Sequence, residues 1–212
     1  MTNIEIVKFL SSKTTNASFV DKLKIRYRPL ICPFIDLINF SKDKQSVFDI
    51  GCGSGQFCSL IANYTNVKKI MGIEISQKLV DNAKEVNANV KSADIYFEYF
   101  DGINLPSRIS EYQIVYMIDV FHHIPPSQQF QFLQELYKKM EVNSILVFKD
   151  INAANPFVLF NKLHDIIFSG EVGKEISHKK AIGLLHKVGF KIKSNYKKTT
   201  FVYPHYFVIC EK

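Results

Sequence analysis

Three glycines at alternate positions, Gly51, Gly53 and Gly55, follow Asp49 at the end of the apolar run Val47-Phe48. Glycine admits positive φ and lets a backbone approach a ligand closely. A strand, a Gly-rich turn and a helix, in that order, build a nucleotide site at the carboxyl end of a strand in open α/β folds. The third glycine separates the candidate ligands. In the dinucleotide fingerprint G-x-G-x-x-G it stands five residues after the first, for close helix–strand packing; here Gln56 holds that place. No Gly-Lys-Ser/Thr follows, so the phosphate-cradling P-loop is absent. A Gly-rich turn with neither phosphate motif suits a nucleoside without a pyrophosphate.

Two further groups can do chemistry. Glu74 closes a second apolar run, Lys69–Ile73, some 20 residues past the glycines, where an acidic side chain is placed to accept hydrogen bonds from both ribose hydroxyls. A solvated strand end or a helix cap is the plainer alternative. His122 and His123 are adjacent in Asp119-Val120-Phe121-His122-His123-Ile124-Pro125-Pro126, and His164 precedes Asp165 further on. One histidine can take a proton from an acceptor hydroxyl or amine, or His123 can pin its loop through the backbone. Adjacent side chains are expected to diverge and no third ligand is evident, so no metal site is expected.

The elements that must position these groups alternate. Strands are expected at Val47–Ile50, Lys69–Ile73, Ala93–Phe100, Gln113–Ile118 and Asn143–Lys149, with helices at 56–64, 77–87 (capped by Ser76) and Ser127–Met140. Before them, apolar spacing from Phe19 to Phe40, broken at Pro29 and Pro33, predicts two short helices forming an N-terminal cap; residues 1–17 read as a mobile or helical tail. After them, Asn155-Pro156 opens a helix with an apolar stripe through Phe157, Phe160, Leu163, Ile167 and Phe168, placed to cover a pocket as a lid. Lys179–Val188 is a last helix with Gly189 as C-cap, and Phe190–Lys197 and His205–Cys210 read as a closing antiparallel pair with Pro204 in the turn.

Asp-Ile-Gly-Cys-Gly-Ser-Gly resembles the first motif of class I S-adenosylmethionine (SAM)-dependent methyltransferases. The resemblance continues, in the family's order, through Gly72-Ile73-Glu74-Ile75-Ser76, Phe100-Asp101-Gly102-Ile103-Asn104-Leu105-Pro106 and Asp119-Val120-Phe121-His122-His123-Ile124-Pro125, covering residues 45–150. It implies a doubly wound α/β fold: a seven-stranded, mostly parallel sheet with an antiparallel C-terminal strand, helices on both faces and a small N-terminal helical cap. It implies a single methyltransferase domain over 1–212, divided into the cap (1–45), the SAM-binding core (46–150), a lid-like helical insertion (151–175) and a C-terminal helix with the closing strand pair (176–212). It implies SAM as cofactor, held by Asp49, Gly51, Cys52, Gly53, Gly55, Glu74, Ile75, Asp101, Gly102 and Asp119. Asp101, rather than Asp94, is the acidic residue that reaches the adenine amino group. Arg26, Tyr27 and Arg28 in the cap can reach the SAM carboxylate or the substrate. His123 and His164 are the candidate catalytic residues.

Composition is ordinary for a soluble globular protein, with 47% hydrophobic and 22% charged residues among 212. Four cysteines without a Cys-x-x-Cys pair indicate neither a zinc site nor a disulfide framework, and reduced thiols suit a cytoplasmic protein. No long apolar run marks a signal peptide or a transmembrane span. The net charge of +7 is uneven: residues 174–198 hold eight lysines against Glu175. Such a patch can steer nucleic acid, acidic lipid at a peripheral membrane contact, or an anionic small molecule, or it can be a solvated face. The missing Asn-Pro-Pro-Tyr or Asp-Pro-Pro-Tyr after the fourth strand counts against base-amino methylation, and the stripe at 157–168 favours a small, partly apolar acceptor. An RNA acceptor is the alternative.

Overall fold

The computed structural model describes residues 2–13, 28, 31–169 and 172–212; Arg26, Tyr27 and the side chain of His164 lie outside the described residues. Seven strands form one mixed sheet in the order β3-β2-β1-β4-β5-β7-β6, the fold class implied by the motifs. By internal contacts the chain forms two compact units, Met1–Asp101 and Gly102–Lys212.

The first unit opens on α1 (Asn3–Ser12), whose start is fixed by a capping box. Thr2 Oγ1 accepts from the Glu5 backbone N–H and the Glu5 carboxylate accepts from the Thr2 N–H, satisfying two otherwise orphaned donors. Ile6 and Leu10, one helical turn apart, are fully buried, and each such burial is worth about 1.5–3 kcal/mol. Phe9 adds an edge-to-face contact with Tyr64 at 5.7 Å. The polar N-terminal stretch is therefore an anchored helix. Of the expected cap, the described part is Arg28, a turn in which Cys32 N–H donates to Arg28 O, and α2 (Phe34–Asn39). Phe34 of α2 stacks on Phe57 at 5.9 Å.

β1 (Ser46–Ile50) is buried along its length, as a central parallel strand must be, and pairs parallel with β2 (Lys69–Glu74), which pairs parallel with β3 (Asp94–Tyr99). α3 (Gln56–Tyr64) follows the glycine turn, and α4 (Gln77–Asn87) is capped by Ser76 Oγ, which accepts from the Leu79 N–H. Gly72 in β2 has no room for a side chain. A Cβ there would sit 2.6 Å from Cys52 Sγ and 2.9 Å from Phe97 Cδ1.

In the second unit β4 (Ile114–Ile118) and β5 (Ile145–Ile151) pair parallel and are almost wholly buried. β5 runs two residues past the expected end at Lys149, and its last charged residues, Lys149 and Asp150, are each 1% exposed. α5 (Gln129–Lys139) starts two residues later than expected, because Pro125–Gln128 form a turn. α6 (Val158–Ser169) and α7 (His178–Val188) follow; Ser177 Oγ caps α7 and Gly189, at φ +118°, ends it. β6 (Lys191–Thr200) and β7 (Tyr203–Glu211) close the sheet as an antiparallel pair. The turn joining them is at Phe201-Val202, with Phe201 at φ +57°, and not at Pro204. Pro204 is already in β7 opposite Thr199, near a strand start where its missing N–H is tolerated, and its carbonyl accepts from Asn152 N–H at 2.7 Å.

Gly72→Ala forces a methyl group into the Cys52–Phe97 contact beneath the glycine turn. The expected cost is about 1–3 kcal/mol of stability, the range for overpacking. Urea denaturation measures it, and an unchanged midpoint would show that the turn yields without strain.

Candidate functional site

The turn after β1 is built by backbone hydrogen bonds that its glycines permit. Gly51 and Cys52 both donate their N–H to Ile73 O, at 2.8 and 3.1 Å, which folds the turn onto the end of β2. Gly53, at φ +55°, then donates to Glu74 Oε2 at 2.9 Å, and Glu74 Oε1 accepts from Ser76 N–H at 3.1 Å. A carboxylate has about four acceptor positions, so each oxygen of this buried side chain can take one more donor. Ile75 beside it is 62% exposed, an apolar surface next to a polar anchor. That combination fits a ribose and an adjoining base. A Cβ on Gly53 would stand 3.4 Å from Arg28 Nη1, which brings the expected Arg28 to the turn. Gly55 serves packing: a Cβ there would collide with Phe97 Cζ and Asn87 Nδ2, each at 2.8 Å.

Asp49 and Cys52 build the site from beneath. Asp49 is buried and accepts from Cys58 Sγ at 3.5 Å. Burial pushes its carboxyl up to about 7; the Cys58 hydrogen bond and the Arg28 charge oppose the rise, and Glu74 adds to it. Burial likewise pushes the Cys52 thiol far up, so it is an apolar filler rather than a nucleophile. Asp101 is exposed at the end of the first unit, and Gly102, at φ +83°, begins the second.

In the second unit the exit from β4 is held by the end of β5. Asp119 takes the left-handed conformation, φ +55°, unusual for a residue with a side chain and a mark of a constrained site. Its N–H donates to Lys149 O, and Lys149 Nζ donates to its Oδ2 at 2.5 Å. Burial alone would raise the Asp119 carboxyl; Lys149, with His205 and His122, outweighs it and holds the group near 2. Asp119 Oδ1 is buried and has no hydrogen-bond partner among the described residues, so the expected ligand-binding aspartate is engaged there by Lys149 through Oδ2 alone.

His122 is 3% exposed, and its Nδ1 meets Asp150 Oδ1 at 2.5 Å, while Asp150 Oδ2 accepts from the His122 N–H at 3.1 Å. Burial by itself lowers its pKa; the Asp150 charge and hydrogen bond, with Asp119 and Asp165, raise it to about 9. Its carboxylate neighbours therefore favour the charged form of the His122 ring. The expected divergence of the two histidines does not occur. They share a 3₁₀ turn over Phe121–His123, and their rings lie 4.2 Å apart. His123, the expected catalytic histidine, is on the exposed side of this pair. Asp165 is brought in from α6, its Oδ2 3.7 Å from His122 Nε2.

α6 is inverted relative to the expected lid. It buries Asn161 and Asp165 and turns Leu159, Phe160, Leu163, Ile166 and Ile167 outward, each about half exposed or more. Sequence reasoning passed over His122–Asp150 and Lys149–Asp119. The available signal was two adjacent charged residues at the end of an apolar strand, whose alternation sends them to opposite faces. The cleft bounded by Lys84, Asp94 and Tyr96 lies at the amino end of β3 and touches none of these groups.

The profile of the family described as "Methyltransferase domain" matches residues 47–142. Among curated proteins, the chain is 26% identical over 153 residues to O-methyltransferase rstn1 of Aspergillus nomiae, covering 70% of this chain and 65% of that one. It is 27% identical over 123 residues to the tRNA N(3)-methylcytidine methyltransferase trm140 of Schizosaccharomyces pombe, covering 55% and 39%. The chain thus spans less than two thirds of the length of these relatives. Among solved structures, magnesium protoporphyrin IX methyltransferase (ChlM) from Synechocystis PCC 6803 with bound SAH superposes with a TM-score of 0.70 at 17% identity, covering 99% and 94%. Among the described residues no helix is long and apolar enough to cross a membrane.

Asp49 makes a pH-dependent contribution to stability. Its folded pKa, about 7, exceeds the unfolded value of about 3.9, so the contribution is fully present below the unfolded pKa and is lost as pH rises through 7. Denaturation midpoints at pH 5 and pH 8 should therefore differ less for Asp49→Asn than for the wild type. An identical difference in both proteins would remove Asp49 from the pH dependence.

Proposed function

We propose that this chain, whose residues 47–142 match the methyltransferase domain, transfers a methyl group from SAM to a small, partly apolar acceptor. The observation that carries the reading is the tie between Gly53 N–H and Glu74, which keeps a buried carboxylate with acceptor capacity to spare beside the exposed Ile75. Glu74 would hold the ribose hydroxyls, Ile75 would face the base, and the positive-φ turn at Gly51 and Gly53 would bring backbone amides to the ligand. Asp101 is assigned to the adenine; in the second unit, Gly102 and Asp119, whose buried Oδ1 has no hydrogen-bond partner among the described residues, are assigned to ligand binding. Bound SAM supplies a sulfonium-activated, electrophilic methyl group. The protein's task is to hold the acceptor in line, and proximity and orientation can supply about 7–11 kcal/mol of the barrier.

Support for this reading over an RNA acceptor comes from a relative named as an O-methyltransferase. An RNA acceptor is supported by the match to trm140 and by the exposed lysines of β6 and α7. The two readings differ in salt dependence, since neutralising several phosphates makes RNA binding fall steeply with ionic strength.

Transfer of labelled methyl from SAM to a panel of hydroxylated aromatic compounds, set beside total tRNA, tests the reading. Label in a small acceptor, little changed by added salt, is the expected result; label in tRNA that disappears with salt would replace it with the RNA reading. The same assay tests a histidine base. Positioning is assigned the main share, so His123→Asn should stay within about tenfold of the wild-type single-turnover rate, whereas loss of a general base costs about 10²–10⁴-fold.

A further inference from the structure

The group formed by His122, His123 and Asp165 has a use that methyl transfer does not claim. One ligand atom from each of the three lies within 4.8 Å of the others. Donors at about 2.0–2.2 Å from a tetrahedral ion stand about 3.3–3.6 Å apart, so small side-chain rotations close the set. His122 Nε2 and Asp165 Oδ2 are already 3.7 Å apart.

The surroundings resemble a prepared site. Metal-bound histidines almost always donate their other ring N–H to a carboxylate or a carbonyl, which fixes the ring and raises its basicity. His122 Nδ1 is held by Asp150 in this way, and Asp150 is itself fixed by the N–H groups of His122 and Ile151. Asp165 is oriented by Asn161 Nδ2 at 2.8 Å, and Asn161 Nδ2 also reaches Glu175 Oε1 at 3.0 Å. Gly173 closes the arrangement. A Cβ there would stand 2.7 Å from Asp165 Oδ2 and 2.8 Å from His122 Cδ2, so a side chain at 173 would push into both proposed ligands. Lys174 N–H donates to His122 O and anchors that segment. His122 and Asp165 are buried and His123 is exposed, so the group lies at the surface on its His123 side.

We propose that His122, His123 and Asp165 form a binding site for one divalent transition ion of the zinc class, with Asp150 orienting His122 from behind. Two imidazoles and one carboxylate select such an ion over magnesium or calcium, which prefer all-oxygen ligands. Three protein ligands leave a position open for water or an oxygen donor, the pattern of catalytic rather than structural sites. Binding takes the neutral ring, so the ion takes the place of a proton at His122 Nε2 while Nδ1–H stays on Asp150.

Cobalt(II) is the probe, titrated into the full metal-free chain and followed by visible absorption. The expected result is one equivalent bound, with ligand-field bands of a low-symmetry four- or five-coordinate ion and no thiolate charge-transfer band. His123→Asn, which changes an exposed side chain, should weaken binding at least tenfold while leaving circular dichroism unchanged. Asp150→Asn should weaken it about 10–100-fold, as loss of an outer carboxylate does. Absence of cobalt binding, a thiolate band, or undiminished binding by folded His123→Asn would overturn the proposal.

Discussion

The hydrogen bond from Gly53 N–H to Glu74 is the contact on which the glycine turn of the first unit depends. It joins a turn that only glycine can make to a carboxylate at the end of the neighbouring strand. The turn is drawn in by the pair of N–H donors on Ile73 O and kept close by Gly72, whose missing side chain leaves room for Cys52. Asp49 lies below as a buried acid of raised pKa. Charge, conformation and packing thus converge on one position, the acceptor atoms of Glu74.

The second unit solves a related problem with ion pairs. Lys149 and Asp150 are consecutive in a buried strand, so alternation directs them apart, one to Asp119 and the other to His122. Both partners lie in the segment that leaves β4. Breaking a buried pair costs about 3–5 kcal/mol because it strands a charge, so each pair holds that segment firmly. The left-handed Asp119 and the closely set histidine rings exist within this frame.

Much of this was legible in the sequence. The order and type of the strands, the glycine turn, and Ser76 and Gly189 as caps follow from periodicity and spacing, because each rests on local chemistry, and the methyltransferase resemblance rests on four short motifs. What escaped depends on distant residues. Nothing near His122 in sequence announces Asp150 or Asp165, which arrive from β5 and α6. The inversion of α6 escaped because an apolar stripe is normally the buried face; here Asn161 and Asp165 are drawn inward by Glu175 and the His122 group. Pro204 was read as a turn residue by its usual preference, while Phe201 takes the positive φ.

The central claim is that Glu74 is the anchor for the nucleoside of SAM, and calorimetric titration with S-adenosylhomocysteine tests it most directly. The account predicts one equivalent bound by the wild type, with affinity lowered by about 1.5–3 kcal/mol in folded Glu74→Ala, the range for hydrogen bonds to a charged group. Equal affinity in the two proteins, or no binding to either, would contradict it.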